Sequence, residues 1–259
     1  MTKIVTPEFS KQARKRLLRM HYESGVGHIG GNLSSLDAML LIFNEYWSPE
    51  NQFILSKGHS AGALYIALWS KGLITDDELK TFHKDNTHLP GHPPSFGRAE
   101  IPFATGSLGH GLPLAAGTAL AKRLKQDPGH VYCLISDGEC QEGSIWEALI
   151  FIAHHQLKNI TILVDHNQLQ GFGITGEIAS MEPLNEKFKS FHFDHYQIPG
   201  HDSEALRVVL DAPAEHPKLI VLETTKGHGI SFMEHKMEWH YLPLKEQQYL
   251  QALEELDAK

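Results

Sequence analysis

The sequence predicts an α/β protein with a mostly parallel sheet and helices on both faces. Short apolar runs at 131–135, 160–164 and 219–223 have the length of buried strands. Longer stretches of helical length, such as 145–153, alternate with these runs along the chain. Turn residues follow the strand ends, as at Asp137-Gly138. Alternation of this kind is typical of parallel sheets whose helices cover both faces.

Length, composition and charge narrow the class of protein further. We expect residues 1–259 to form one domain, with 230–259 as a C-terminal tail that contains a helix. A net charge of −8 and a pI near 6.1 argue against nucleic acid as the main partner. No apolar run approaches the roughly 18 residues of a membrane span, and the N-terminus lacks a signal-peptide core. With only two cysteines, the chain suits a reducing compartment, and we expect a cytoplasmic protein.

The N-terminal half is predicted to contain five helices and one strand. A basic amphipathic helix at 7–24 ends at a glycine-rich turn. The next helix, at 34–43, has Ser34 or Ser35 as its N-cap. Asp37 in the first turn of that helix suits the helix dipole. The other predicted elements of this half are a strand at 53–55, helices at 61–69, 76–82 and 112–125, and an ordered proline-rich loop at 85–103.

The C-terminal half continues the alternation of strands and helices. The helix at 145–153 is apolar on nearly every side, so we expect it to be buried, against another subunit. Residues 172–191 are irregular apart from a short helix near 185–191. The remaining predicted elements are a helix at 202–210, the strand at 219–223 and a final helix at 244–256.

Polar side chains follow the ends of two neighbouring predicted strands. Asp137 comes after the run at 131–135, and Asn167 comes after the run at 160–164. Because the carboxyl ends of parallel strands meet at one edge of a sheet, these side chains should lie together. Carboxylate and amide oxygens suit Mg²⁺ or Ca²⁺, and Gly138 lets an anion approach the backbone. Taken alone, Asp137-Gly138 is also typical of an ordinary turn.

The longer pattern DG-x-x-x-EG, an apolar helix and then D-x-N resembles the thiamine-diphosphate signature of the transketolase family. Its Asp137 and Asn167 are 30 positions apart. The resemblance covers nearly the whole chain and implies thiamine diphosphate and Mg²⁺ as cofactors, with Ca²⁺ or Mn²⁺ as substitutes. It implies that Asp137, Asn167 and the carbonyl of Leu169 hold the metal. Glu142 matches a family glutamate that helps to orient a catalytic glutamate of the neighbouring domain.

Four histidines lie in turns that are similar to transketolase motifs. His28 in SG-x-x-H and His92 in GHP match histidines that contact the sugar substrate. His59 in SKGH matches a histidine near the cofactor diphosphate. His240 in WH matches one that polarises the donor carbonyl, although the pair Tyr241-Leu242 replaces the usual Gly, often followed by Lys. We expect both neutral and protonated forms of these histidines to be accessible near pH 7.

Three further residues match turns that hold the diphosphate in the family. Gly106 and Leu108 lie in a loop that resembles GSLGQGL, whose backbone groups hold the diphosphate and the aminopyrimidine. Lys226 lies in a turn that resembles TxKGxG and is placed to neutralise the diphosphate. Together with His59, Asp137, Gly138, Glu142 and Asn167, these are the cofactor-binding residues that the resemblance implies.

The implied function is that of the N-terminal subunit of a split transketolase. Such a subunit transfers a two-carbon ketol unit from a ketose phosphate or related sugar to an aldose, together with a separate C-terminal subunit. We expect a heterotetramer, and self-association through an apolar face around Trp146, Leu149 and Ile150. Two alternatives remain: another thiamine-diphosphate enzyme, such as a deoxyxylulose-phosphate synthase-like protein, and a non-catalytic paralogue, which Tyr241 and Leu242 favour.

Overall fold

A five-stranded, all-parallel sheet organises the computed structural model, which describes residues 3–258. Its strands are β1 (Gln52–Leu55), β2 (Val131–Ser136), β3 (Ile160–His166), β6 (Asp194–Pro199) and β7 (Lys218–Glu223), and a separate hairpin joins β4 (Leu169–Gln170) to β5 (Gly173–Ile174). The order across the main sheet is β1-β2-β3-β7-β6.

Helices cover both faces of this sheet. They are α1 (Pro7–Ser24), α2 (Ile29–Leu41), α3 (Ala61–Lys71), α4 (Asp76–Leu79), α5 (Gly111–Leu124), α6 (Gly143–His154), α7 (Thr175–Ile178), α8 (Leu184–Lys189), α9 (Ser203–Asp211) and α10 (Glu246–Asp257). Short helical turns lie at Ile42–Tyr46, Gly58–Ser60, Gly138–Gln141 and Met237–His240. Within residues 3–258, none of these helices has the length and apolar character that crossing a bilayer requires.

The hydrophobic core is divided into two clusters by the sheet. Along β2, Cys133 and Ile135 point into the cluster under α5 and α6, whereas Leu134 points into the cluster under α1, α2 and α3. Successive side chains of a strand point to opposite faces, so apolar residues at every position require helices on both sides. The predicted fold class is therefore confirmed.

Helix α2 begins at Ile29, five residues before the predicted start at 34. Gly30 lies inside this helix. A Cβ at this position would come within 3.2 Å of the side chains of Lys226 and Trp239, so the close packing favours glycine. Gly30 thus marks a close tertiary contact, whereas Gly25, with φ 64°, forms the turn that ends α1. Ser34 and Ser35 are not N-caps; both hydroxyls donate to Asp165, at 2.7 and 3.0 Å.

Strand β6 is absent from the sequence prediction. It is an edge strand that pairs only with β7 in the described part of the chain, and its side chains are half-buried or exposed. An edge strand of this kind has no continuous apolar run to reveal it. It nevertheless lengthens the sheet edge from which loops approach the site.

Helix α6 buries one face in the chain's own core and exposes the opposite one. Leu149 is fully buried on the core face, so the prediction that it lies on an exposed apolar face is wrong. Its spacing from Ile145 and Ile152 places these side chains on one stripe of the helix. Ile150 and Phe151 are exposed, at 60% and 37%. Trp146 is half-buried and its ring stacks near Phe188 at 5.8 Å.

Candidate active site

A cleft opens at the carboxyl edge of the sheet, past the ends of β1, β2, β3 and β7. In open α/β sheets this is the edge where ligands bind. Its lining includes both charged side chains and glycine-rich backbone, and most of the predicted site residues contribute to it: His59, Leu108, Asp137, Gly138, Asn167, Leu169, Lys226 and His240. Lys57, Gln170, Phe172 and Tyr241 also line the cleft.

Asp137, Asn167 and Leu169 present oxygen atoms to the cleft. The Asp137 carboxylate accepts hydrogen bonds from the backbone N–H groups of Gly138 (2.7 Å) and Gln168 (2.6 Å). The side-chain oxygen of Asn167 accepts from the N–H of Leu169 at 3.0 Å. Each of these oxygens keeps a second lone pair for another partner. Burial, with the nearby charge of Asp165, raises the pKa of Asp137. The oxygen atoms of the Asp137 carboxylate and of the Asn167 amide are the kind of ligand that fits Mg²⁺.

Asp165 is a buried hydrogen-bonding centre directly beneath these ligands. Burial raises the pKa of its carboxyl, but the Lys57 ammonium and several hydrogen bonds outweigh that effect and lower the pKa to about 2. Its partners are the ammonium of Lys57, the hydroxyls of Ser34, Ser35 and Thr224, and the side-chain amide of Asn167 at 3.2 Å. Because the Asn167 nitrogen donates to Asp165, the Asn167 oxygen is held in the opposite direction.

Glu139 is a second buried carboxylate and connects the loop before α5 to the end of β2. It accepts from the N–H of Gly109 at 2.8 Å and from the hydroxyl of Ser56 at 2.5 Å. Burial raises the pKa of this carboxyl. Its two contacts hold the loop that carries Leu108 over the cleft. Neither Glu139 nor Asp165 received a role from the sequence, although both lie inside the motifs that were recognised.

Two predicted cofactor-binding residues lie outside the cleft lining. A Cβ on Gly58 would come within 2.8 Å of the Gly106 nitrogen, so Gly106 packs directly against the turn after β1. Glu142 is exposed and lies beside Gly109, where a Cβ would approach the Glu142 Cβ to 2.7 Å. The side chain of Glu142 therefore lies at the surface, beside the loop that carries Leu108.

The four predicted histidines come from four distant segments and form one cluster. His59 and His240 line the cleft, whereas His28 and His92 line an adjoining cavity, to which His59 also contributes. The ring centroid of His28 lies 5.8 Å from His59, 6.0 Å from His92 and 5.1 Å from His240. His59 and His240 are 5.2 Å apart. His28 has a left-handed backbone conformation (φ 65°), which turns the chain into α2 and points the imidazole at the other three rings.

Burial favours the neutral form of these four histidines over the protonated form. It lowers the pKa of His28 and His92, and it lowers that of His59 well below the usual value. Burial and the neighbouring Lys226 ammonium lower the pKa of His240 to about 3. A neutral imidazole offers one donor and one acceptor, which suits the hydroxyl groups of a sugar.

Lys226 fixes the tautomer of His240. Its ammonium lies 3.0 Å from Nδ1 of His240 and donates to the Leu169 carbonyl at 3.1 Å. Burial, with the Lys57 charge, lowers the pKa of Lys226 to about 8, so the ammonium stays protonated at pH 7. Because it donates to Nδ1, the proton of neutral His240 resides on Nε2. His240 can therefore donate from Nε2 into the cleft.

A group formed by Asp37, His201 and His228 has ligand atoms within 4.8 Å of one another on the outer side of α2. Arg14 donates to both oxygens of Asp37, at 2.9 and 2.8 Å. His201 lies between Asp37 (2.8 Å) and the N–H of Thr225 (2.9 Å), so both of its ring nitrogens are engaged. These contacts make the group a structural network of one buried carboxylate and two half-buried imidazoles. Asp37 lies in the middle of α2 rather than in a capping turn.

Residues 25–257 match the family described as transketolase, thiamine diphosphate binding domain. This chain belongs to that family. Among proteins of similar length, it is 35% identical over 259 residues to an apulose-4-phosphate transketolase subunit of Actinobacillus succinogenes, with 95% of this chain and 94% of that protein covered. It is also 35% identical to the 6-deoxy-6-sulfo-D-fructose transketolase subunit SqwG of a Clostridium species, at 95% and 94% coverage.

Solved transketolases share the fold over the whole chain. The Campylobacter jejuni transketolase has a TM-score of 0.87 and 27% identity, with 99% of this chain and 43% of that chain covered. The Leishmania mexicana transketolase has a TM-score of 0.85 and 26% identity, at 96% and 41% coverage. The chain thus spans about two fifths of these transketolases. The predicted family is confirmed, and the relatives named as subunits support a transketolase-type enzyme made of two chains.

Proposed function

We propose that this chain is the N-terminal subunit of a two-chain transketolase, which moves a two-carbon ketol unit from a ketose to an aldose. The observation that carries the proposal is a cluster of four histidines beside the cleft that holds Asp137, Asn167 and Lys226. Two of them, His59 and His240, line this cleft, and the other two line an adjoining cavity that His59 shares. Hydroxyl-binding groups beside an anion and metal site suit a sugar held against a diphosphate cofactor. We further propose that residues 1–259 form one domain, with 230–259 as its tail, in a cytoplasmic enzyme.

The cofactor side of the cleft is assigned to thiamine diphosphate, which when bound supplies the electron sink for breaking a carbon–carbon bond. Asp137, Asn167 and the Leu169 carbonyl would hold Mg²⁺, with Ca²⁺ or Mn²⁺ as substitutes. The buried Lys226 ammonium would offset the charge of the diphosphate. Three further residues, Gly106, Leu108 and Gly138, would bring the backbone close to the cofactor, and Glu142 would face the partner.

The histidines would hold the sugar through hydrogen bonds to its oxygens. His240 donates from Nε2, because Lys226 occupies its Nδ1, and would therefore stabilise negative charge on the donor carbonyl oxygen. His28 and His92, which line the adjoining cavity, would bind hydroxyls. His59 lies between His240 and the cofactor end of the cleft, so it would contact both ligands.

The partner would be a C-terminal transketolase subunit, which the names of the relatives support. We propose two copies of each chain in a heterotetramer with two active sites. The exposed Ile150 and Phe151 on α6 offer an apolar surface for self-association. The relatives are named for a sugar phosphate and for a sulfo-sugar. We therefore propose a ketose phosphate or a related anionic ketose as substrate.

Separate histidine substitutions should divide substrate binding from cofactor binding. In the complex with the C-terminal subunit, His28→Ala and His92→Ala should leave thiamine-diphosphate affinity nearly intact and lower kcat by about 100-fold, since a positioned imidazole contributes on that order. His59→Ala should reduce both quantities. Titration calorimetry gives the affinity, and a ketol-transfer assay with xylulose 5-phosphate gives kcat.

His154→Ala is the matched control, because that imidazole is exposed on α6 and lies outside the cleft lining. It should change neither measurement. A His92→Ala variant that loses cofactor affinity but turns over normally once saturated would show that the assigned substrate role is wrong.

A further inference from the structure

Tyr241 stands over the histidine end of the cleft. Its ring centroid lies 4.7 Å from His240 and 6.4 Å from His28. The side chain lines the cleft and is 53% exposed, so it lies where the cleft opens. None of the hydrogen bonds proposed for the sugar or the cofactor uses this residue. An aromatic ring at the mouth of a site can instead act by limiting which substrates enter the cleft.

Two glycines hold Tyr241 in this place. A Cβ on Gly27 would lie 2.2 Å from the Tyr241 carbonyl oxygen, and a Cβ on Gly171 would lie 2.5 Å from the Tyr241 hydroxyl. Neither glycine has a positive φ, so the backbone does not require glycine at either position. The close approach of Tyr241 does require it. Tyr241 is thus seated at both its backbone end and its hydroxyl end, despite its exposure.

The seated ring forms a wall across the cleft. It runs from the His28 side, where its backbone meets Gly27, past His240 to the turn that contains Gly171. These two contacts define the place of the ring at the mouth of the cleft. The wall limits the width available to any sugar that lies against His28 and His240.

We propose that Tyr241 is a specificity-determining residue that restricts the ketose donor to linear chains at the carbons next to the transferred unit. This inference rests on the proposed ketol transfer. A branch or a bulky substituent at those carbons would meet the phenol ring, whereas a linear ketose carries only hydrogen and hydroxyl there. One misfitting group in a pocket discriminates by roughly 10- to 200-fold.

The test compares branched and linear five-carbon ketose phosphates as donors for the complex with the C-terminal subunit. Truncation in Tyr241→Ala removes the wall and should raise the ratio of kcat/KM for the branched over the linear donor by about tenfold or more. Tyr241→Phe keeps the ring and should retain the wild-type ratio. Leu242→Ala, at an exposed neighbour outside the cleft lining, is the matched control and should leave the ratio unchanged.

Gly171→Ala tests whether the close contact between Gly171 and the Tyr241 hydroxyl affects donor specificity. Its methyl group would collide with the Tyr241 hydroxyl, so this variant should change the donor ratio in the parent chain but not in a Tyr241→Ala background. If the parent complex is active but Tyr241→Ala leaves the branched-to-linear ratio of kcat/KM unchanged, the proposed role of Tyr241 is wrong and the proposed function is unaffected. If the parent complex transfers no ketol unit from either donor, both the proposed function and the proposed role of Tyr241 are wrong.

Discussion

Replacing Asp137 by alanine is expected to abolish Mg²⁺-dependent binding of thiamine diphosphate. Asp137 is the charged member of the proposed ligand set, and its carboxylate is buried, at 3% exposure, where only a cation can compensate it. Without the metal, the diphosphate would bring its negative charge next to the buried Asp165. Asn167→Ala removes a neutral ligand and should weaken binding strongly without abolishing it. Titration calorimetry with the C-terminal subunit present measures both effects.

Asp85→Ala is the control for this experiment, since that carboxylate is exposed in the loop at 85–103. Its binding isotherm should match that of the parent chain. Calorimetry of all three variants without Mg²⁺ should show equally weak binding, because the metal is then missing in each. Unchanged affinity in Asp137→Ala would show that the metal assignment is wrong.

Substituting Lys57 by methionine should destabilise the fold by about 3–5 kcal/mol, because it leaves the buried Asp165 carboxylate without its cation. The loss should depend on pH. Burial alone raises the pKa of Asp165, so in Lys57→Met the folded state takes up a proton more readily than the unfolded chain. The loss of unfolding free energy relative to the parent chain is then fully present at high pH, and it becomes smaller as the pH falls through the raised pKa. Urea unfolding at pH 8 and pH 5 measures the difference.

Lys80→Met provides the exposed comparison, since the Lys80–Asp77 pair lies on the surface of α4. Because solvent screens an exposed pair of this kind, Lys80→Met should leave the free energy of unfolding nearly unchanged. Adding Asp165→Asn to Lys57→Met should restore part of the lost stability, because the unpaired charge is then gone. Equal unfolding free energies for Lys57→Met and the parent chain would contradict the buried ion pair.

Much of the sheet and of the ligand cleft could be predicted from local sequence. β2, β3 and β7 each contain a short run of apolar residues, and Asp137, Asn167 and Lys226 follow these strands closely. Parallel strands bring their carboxyl ends to one edge of a sheet. The strand assignments therefore predicted that these three side chains lie close together. The four histidines came from motif resemblance alone, because no periodicity links four turns from separate segments.

The remaining features depend on tertiary contacts that a single sequence does not display. The ion pair of Lys57 with Asp165 joins the turn after β1 to the end of β3, two strands away in the sheet. The start of α2 was missed because Gly30 reads as a turn residue until Lys226 is seen packed against it. Leu149 was misplaced because a helix that is apolar on nearly every side does not reveal which stripe meets the core.

The central claim, a transketolase completed by a second chain, is tested most directly by analytical ultracentrifugation and a ketol-transfer assay on the chain alone and with the C-terminal subunit. Alone, the chain should be inactive and bind thiamine diphosphate weakly, because we propose that the C-terminal subunit supplies the other side of the cofactor site. The mixture should sediment as a two-plus-two complex and transfer the ketol unit. A monomeric chain with full activity by itself would contradict this account.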